Sequence, residues 1–205
     1  MAACLGAVLL GRILPEPGPY RAPPQEAMGA PHAAPLPATR IWYTASNYPQ
    51  FSLPGGRREL VRSVLNITKP MHFGDFVWNE DYIPKGPVWV RIDLTHQLLS
   101  VFRSGHEIGT AVILYGADGK PTPSGTFPIL EKDANHYSHN YDAPMPYMLR
   151  LTRDGVAIHG SNVREGWATH GCIGVPLGFA RLLFATATKG DLVVILPVAP
   201  EAGKA

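Results

Sequence analysis

Two histidines and a cysteine fall within 14 residues of one another: His159 in VAIHG, then His170 and Cys172 in ATHGCIGVP. A thiol attacks a carbonyl as thiolate. From an ordinary pKa of ~8.5 it needs a nearby base or positive field to reach that form. Both histidines qualify by sequence. His159 ends an apolar run, which would mount it rigidly as a catalytic base. His170 stands two residues before the cysteine. Acyl transfer also needs donors for the developing oxyanion. Gly171 lets a substrate approach the backbone closely, and the N–H groups around Gly171 and Cys172 would form one nest. The competing reading is structural, since a lone cysteine often serves as a small buried hydrophobe. The conjunction of thiol, two imidazoles and flanking glycines favours chemistry.

These residues must be held by a scaffold, and the scaffold reads as mainly β. VWVRIDL alternates Val88, Val90, Ile92 and Leu94 against Trp89, Arg91 and Asp93, the pattern of a half-buried strand. LLSVF and IGTAVIL flank RSGHE, and YMLRLT and VAIHG flank RDG. The Ser-Gly and Asp-Gly pairs mark hairpins. DLVVIL reads as a closing buried strand. One helix begins at Pro176, which suits its first turn, with Phe179, Leu182 and Leu183 as its apolar face and Gly190 at its C-terminal end. RRELVRSVLN is a second, shorter helix candidate, with Leu60, Val61, Val64 and Leu65 on one face. The expected fold is a β-sandwich or barrel-like domain with one or two short helices.

The chain has 205 residues, enough for one domain with appendages and a core that needs no disulfides. A net charge of +2 with 17% charged residues, and no Lys/Arg block, gives no reason to invoke nucleic acid. Residues 2–10 are apolar and match the length of a signal-peptide core, although Arg12 follows the run instead of preceding it. That run is too short to span a bilayer. If the leader is removed, Cys172 is the one thiol left, because Cys4 is the other of the two cysteines. Residues 15–37 are rich in proline and read as a linker. The expected organisation is an apolar leader and linker over 1–38, a small N-terminal cap over 39–87, the main domain over 88–197 and a tail over 198–205.

IHG, eight residues, then THGCIGV resembles the signature of the L,D-transpeptidase catalytic domain, the YkuD-like family. VRIDLTHQLLSVFRSGHEI is similar to that family's opening strands, and GKPTPSGTFPI to its Thr-Pro-x-Gly-x-Phe stretch. MPYMLRLTRDGVAIHG is similar to its run into the histidine. The resemblance covers about residues 88–197. It implies an exported enzyme of the cell envelope acting on peptidoglycan stem peptides without metal or cofactor. Membrane association would come only through the leader. By the match, Cys172 attacks the carbonyl of the third stem residue, a terminal D-amino acid leaves, and an amine takes the acyl group to form a 3→3 cross-link. His159 would be the base, with the Gly160 carbonyl orienting it. His170, Gly171 and Cys172 would line the oxyanion pocket, and Thr169 stands where the family has Ser or Thr. Water as acceptor would give an L,D-carboxypeptidase, and a silent peptidoglycan-binding protein is the reading from another class.

One position departs from the family pattern. Gly174 stands where Arg or Asn is usual, so a side chain that would support the site or a substrate carboxylate is missing. Arg150 or Arg164 would be the substitutes. The resemblance implies that the segment holding Tyr137, Tyr141 and Tyr147 covers the cleft and that these rings line it, with Tyr137, Tyr147 and Arg150 as the expected substrate contacts. His136, His139 and Asp142 with His159 form an alternative zinc set, against which a polar surface loop is the commoner explanation. Trp42, Tyr43, Tyr48 and Trp78 suit packing of the cap better than glycan stacking.

Overall fold

The computed structural model describes residues 34–53, 58–116 and 119–198. The leader with Cys4, most of the proline-rich linker and the tail after Val198 lie outside the described residues. The strands run β1 (Thr39–Trp42), β2 (Gln50–Ser52), β3 (Arg58–Leu60), β4 (Ser63–Asn66), β5 (Phe76–Trp78), β6 (Val88–Asp93), β7 (Leu98–Arg103), β8 (His106–Val112) and β9 (Gly125–Pro128). There follow β10 (Glu131–Asp133), β11 (Tyr137–Ser138), β12 (Ala143–Pro144), β13 (Met148–Arg150), β14 (Ala157–Ser161), β15 (Ile173–Pro176), α1 (Leu177–Thr186) and β16 (Leu192–Leu196).

Eight strands form one sheet in the order β1-β4-β8-β7-β6-β16-β9, with β5 also paired to β8. A second sheet has the order β10-β13-β14-β15. Val90, Ile92, Leu99 and Val101 from the first sheet share one core with Leu149, Ile158, Ile173 and Val175 from the second, and with Phe179 and Leu183 of α1. Each such side chain contributes roughly 1.5–3 kcal/mol when buried. The sheets are joined directly: Leu114 and Gly174 exchange backbone hydrogen bonds of 2.9 and 3.0 Å. The expected sandwich-like β architecture is thus present, with one α-helix.

Strand β6 is buried on both faces, whereas its alternation predicts one. Trp89, on the face away from the main core, stacks on Phe102 at 4.4 Å and lies 5.8 Å from Phe51. Leu53 and Val61 complete this second cluster. The helix expected over RRELVRSVLN is replaced by β3 and β4. Ser63 and Leu65 point inward in alternation, β4 pairs with β1, and Arg62 N–H reaches Gly105 O at 2.7 Å. Cross-strand partners outweigh the weak helical preference of this segment.

Helix α1 follows β15 at once, with Pro176 as its cap residue and not in its first turn. The ammonium of Lys132, on β10, donates to the carbonyls of Phe184 and Ala187 at 2.6 and 2.5 Å. These are carbonyls at the helix end that lack intrahelical partners. The helix that follows the cysteine segment is thereby tied to the far edge of the second sheet.

Candidate active site

The second sheet places the chemical groups by register. β14 and β15 are parallel, with Ile158 level with Ile173 and His159 level with Gly174. Ile158 and Ile173 face the core. Strand side chains alternate, so His159 points to the opposite face. Cys172, one residue before Ile173, shares that opposite face and packs against Ala157, Met148 and Met145. Thiol and imidazole therefore occupy one sheet face, in adjacent rows.

The ring of His159 is fixed by its neighbour. Nδ1 lies 3.0 Å from the Gly160 carbonyl oxygen. A carbonyl only accepts, so Nδ1 carries the hydrogen and Nε2 keeps its lone pair. That is the tautomer a base needs.

The turn before Cys172 is built by three contacts. Gly171 has φ +97°, a conformation that L side chains rarely adopt. The buried Thr122 hydroxyl donates to Gly171 O at 3.0 Å and accepts from Gly116 N–H at 2.9 Å. The Thr169 hydroxyl donates to Cys172 O at 2.5 Å. Thr122 belongs to the TPSG stretch, so that stretch buttresses the turn that carries Cys172.

Burial favours the uncharged form of both groups. Burial pushes the Cys172 thiol up, and Asp154 adds to this. A hydrogen bond with the Ala157 backbone and the Lys120 ammonium act the other way. The thiol donates weakly to Gly155 O at 3.7 Å. Burial pushes the His159 imidazole down, the Gly160 hydrogen bond opposes this, and neighbouring His136 reinforces it.

The covering segment reaches the site in two places. Its chain folds back on itself through Met145 N–H to His136 O at 2.8 Å and Tyr147 N–H to Ala134 O at 3.0 Å. Met145 packs with the cysteine cluster. The Tyr141 ring stacks on His170 at 4.5 Å and 8°.

The other expected residues are placed differently. Tyr147 packs against Phe184 and the main core. The Tyr137 hydroxyl donates to Asp142 at 2.6 Å. Arg150 is in an ion pair with Glu131. Arg164 bonds Asn162 at 3.1 Å and lies over Trp167. Trp78 joins the core edge-on to Phe179, and Trp42 lies against His106 at 5.3 Å. His136, His139 and Asp142 do not converge with His159: among the described residues no group of three or more His, Cys, Asp and Glu could hold a metal ion. Sequence reasoning overlooked Thr122 as a support and Lys120 as a neighbour of the thiol. Only the motif TPSG carried a signal for the first.

Gly174 is filled from the side. An ideal Cβ built there falls 3.0 Å from Ser161 Cβ and 3.5 Å from Leu114 Cβ. Ser161 thus takes up space that a side chain at 174 would need.

Comparison with known proteins agrees with this arrangement. No curated protein sequence matches the chain. Among solved structures, an L,D-transpeptidase (Yku) from Stackebrandtia nassauensis is similar at 28% identity and a TM-score of 0.52, over 57% of this chain and 58% of that one. An L,D-transpeptidase from Mycobacterium tuberculosis H37Rv is similar in fold at 20% identity and a TM-score of 0.50, over 54% of this chain and 57% of that one. The chain thus spans less than two thirds of the structures it resembles. The model of the L,D-transpeptidase catalytic domain (YkuD) matches residues 87–195, which include Thr122, His159 and Cys172. With that match over more than half its length, the chain belongs to the L,D-transpeptidase catalytic-domain family.

Proposed function

We propose that this protein is a cysteine-dependent peptidoglycan L,D-transpeptidase. The observation that carries the reading is the placement of Cys172 and His159 on one sheet face in adjacent rows, with His159 Nδ1–H committed to Gly160 O. Cys172 Sγ attacks the carbonyl of the third residue of a donor stem peptide while Nε2 of His159 takes the thiol proton. Backbone N–H groups at Gly171 and Cys172, with His170 beside them, receive the oxyanion. Collapse breaks the amide, His159 returns the proton to the departing amine, and a thioester remains on Cys172. An amine of a second stem peptide then attacks the thioester, His159 takes its proton, and the thiol is restored. The substrate would place the enzyme at the cell wall, outside the cytoplasmic membrane. Among the described residues no helix is long and apolar enough to cross a membrane.

The test is intact-mass analysis with a carbapenem and with a stem tetrapeptide, using wild type and Cys172→Ala. A covalent adduct and D-amino acid release in wild type alone support the reading. Retained turnover in Cys172→Ala rejects it. Cross-linked dimer against hydrolysed tripeptide among the products decides between amine and water as acceptor.

A further inference from the structure

Lys120 approaches the nucleophile's turn from a segment outside the second sheet. Its carbonyl oxygen and Cγ lie 3.4 and 3.6 Å from an ideal Cβ at Gly171, the residue preceding Cys172. Its ammonium bonds the Tyr141 hydroxyl at 2.8 Å, and the Tyr141 ring is stacked on His170 at 4.5 Å. An exposed lysine chain usually samples many rotamers. Here the chain runs beside the turn, and its tip bonds a ring that is stacked on His170. The tip's partner is a phenol hydroxyl, and the Asp154 carboxylate is the acidic side chain that also acts on the ammonium. An ammonium has three N–H donors, and Tyr141 accepts from it once.

The two arginines that the sequence offered for this role have other partners. Gly174 offers no side chain. Arg150 is committed to Glu131, and Arg164 to Asn162 and Trp167. A donor whose leaving group is a terminal amino acid brings a carboxylate within a few bonds of the scissile amide, and its diamino acid can bring another.

We propose that Lys120, held by Tyr141, is a substrate-binding residue that receives a carboxylate of the donor stem peptide beside Cys172. This rests on the peptidoglycan reading above and names the group that replaces the side chain missing at position 174. The pull of the same ammonium on the Cys172 thiol and on His170 agrees with the placement.

The test separates binding from turnover. Donor affinity is measured by calorimetry on the full chain carrying Cys172→Ala, with and without Lys120→Met. Three tetrapeptides are used: one with both carboxylates free, one with the C-terminal carboxylate amidated and one with the diamino acid carboxylate amidated. Lys120→Met is expected to raise Kd for the free donor about tenfold. It should leave unchanged the Kd of whichever amidated donor has already lost the recognised group, and so identify that carboxylate. Lys120→Arg should retain most of the affinity. In parallel, Lys120→Met in the otherwise wild-type enzyme should raise KM with kcat within about twofold. An equal loss on all three donors, no loss on any, or a fall in kcat with KM unchanged would overturn the proposal. If wild type binds donors through Lys120 yet releases no D-amino acid, the transpeptidase reading fails while this one stands.

Discussion

Ser161 and Gly174 are a complementary pair: the side chain of the first stands 3.0 Å from where the Cβ of the second would be. They sit on the parallel strands β14 and β15, Gly174 level with His159 and Ser161 level with Pro176. A contact at that distance requires the Ser161 side chain to give by a few tenths of an ångström. Gly174→Asn should therefore destabilise the fold by about 1–3 kcal/mol and slow β-lactam acylation. Adding Ser161→Gly should recover part of both. A double-mutant cycle in denaturant measures the coupling, and strict additivity would show that the two side-chain positions do not compete.

Thr122 supports the site from beneath. Thr122→Val leaves Gly116 N–H and Gly171 C=O without their buried partner. Each orphaned group costs about 1–3 kcal/mol. The expected result is a lower denaturation midpoint and acylation slowed more than tenfold, with Thr122→Ser close to wild type because the hydroxyl remains. Acylation by Thr122→Val at the wild-type rate would mean that the turn holds its shape without this bond.

Burial pushes the Cys172 thiol up and the His159 imidazole down, each toward its uncharged form. The sign follows directly. Below the raised thiol pKa the thiolate fraction grows with pH, so alkylation of Cys172 by iodoacetamide should keep climbing through pH ~9, past the ordinary thiol value. A plateau at or below neutrality would instead reveal a preformed thiolate–imidazolium pair. His159→Ala, losing the proton acceptor, should slow acylation by about 10²-fold or more.

Lys132 joins the edge of the second sheet to the end of α1. Hydrogen bonds from charged groups are worth about 1.5–3 kcal/mol, and Lys132 makes two, to Phe184 O and Ala187 O. Lys132→Met should lower stability by about 1–3 kcal/mol in urea while leaving the pH profile of alkylation unchanged. An unaltered midpoint would place the helix end in the care of its apolar face alone.

The sequence by itself determined the strands of the main domain, because period-two alternation and Gly-containing turns are local signals. The alternation in VWVRIDL and the turns at RSGHE and RDG all correspond to elements of the fold. It also determined the family, since His159, Thr169, Gly171 and Cys172 stand in one ordered motif. It misread residues 58–66, whose strand state depends on β1 and on Gly105, partners distant along the chain. It offered Arg150 and Tyr147 as substrate contacts, and the fold adds that they meet Glu131 and Phe184. Only the tertiary structure decided that Thr122 and Lys120 meet a turn about fifty residues away, and that Ser161 fills the gap at Gly174. Such contacts are set by sheet register and loop closure. They leave no periodic trace in the residues that make them.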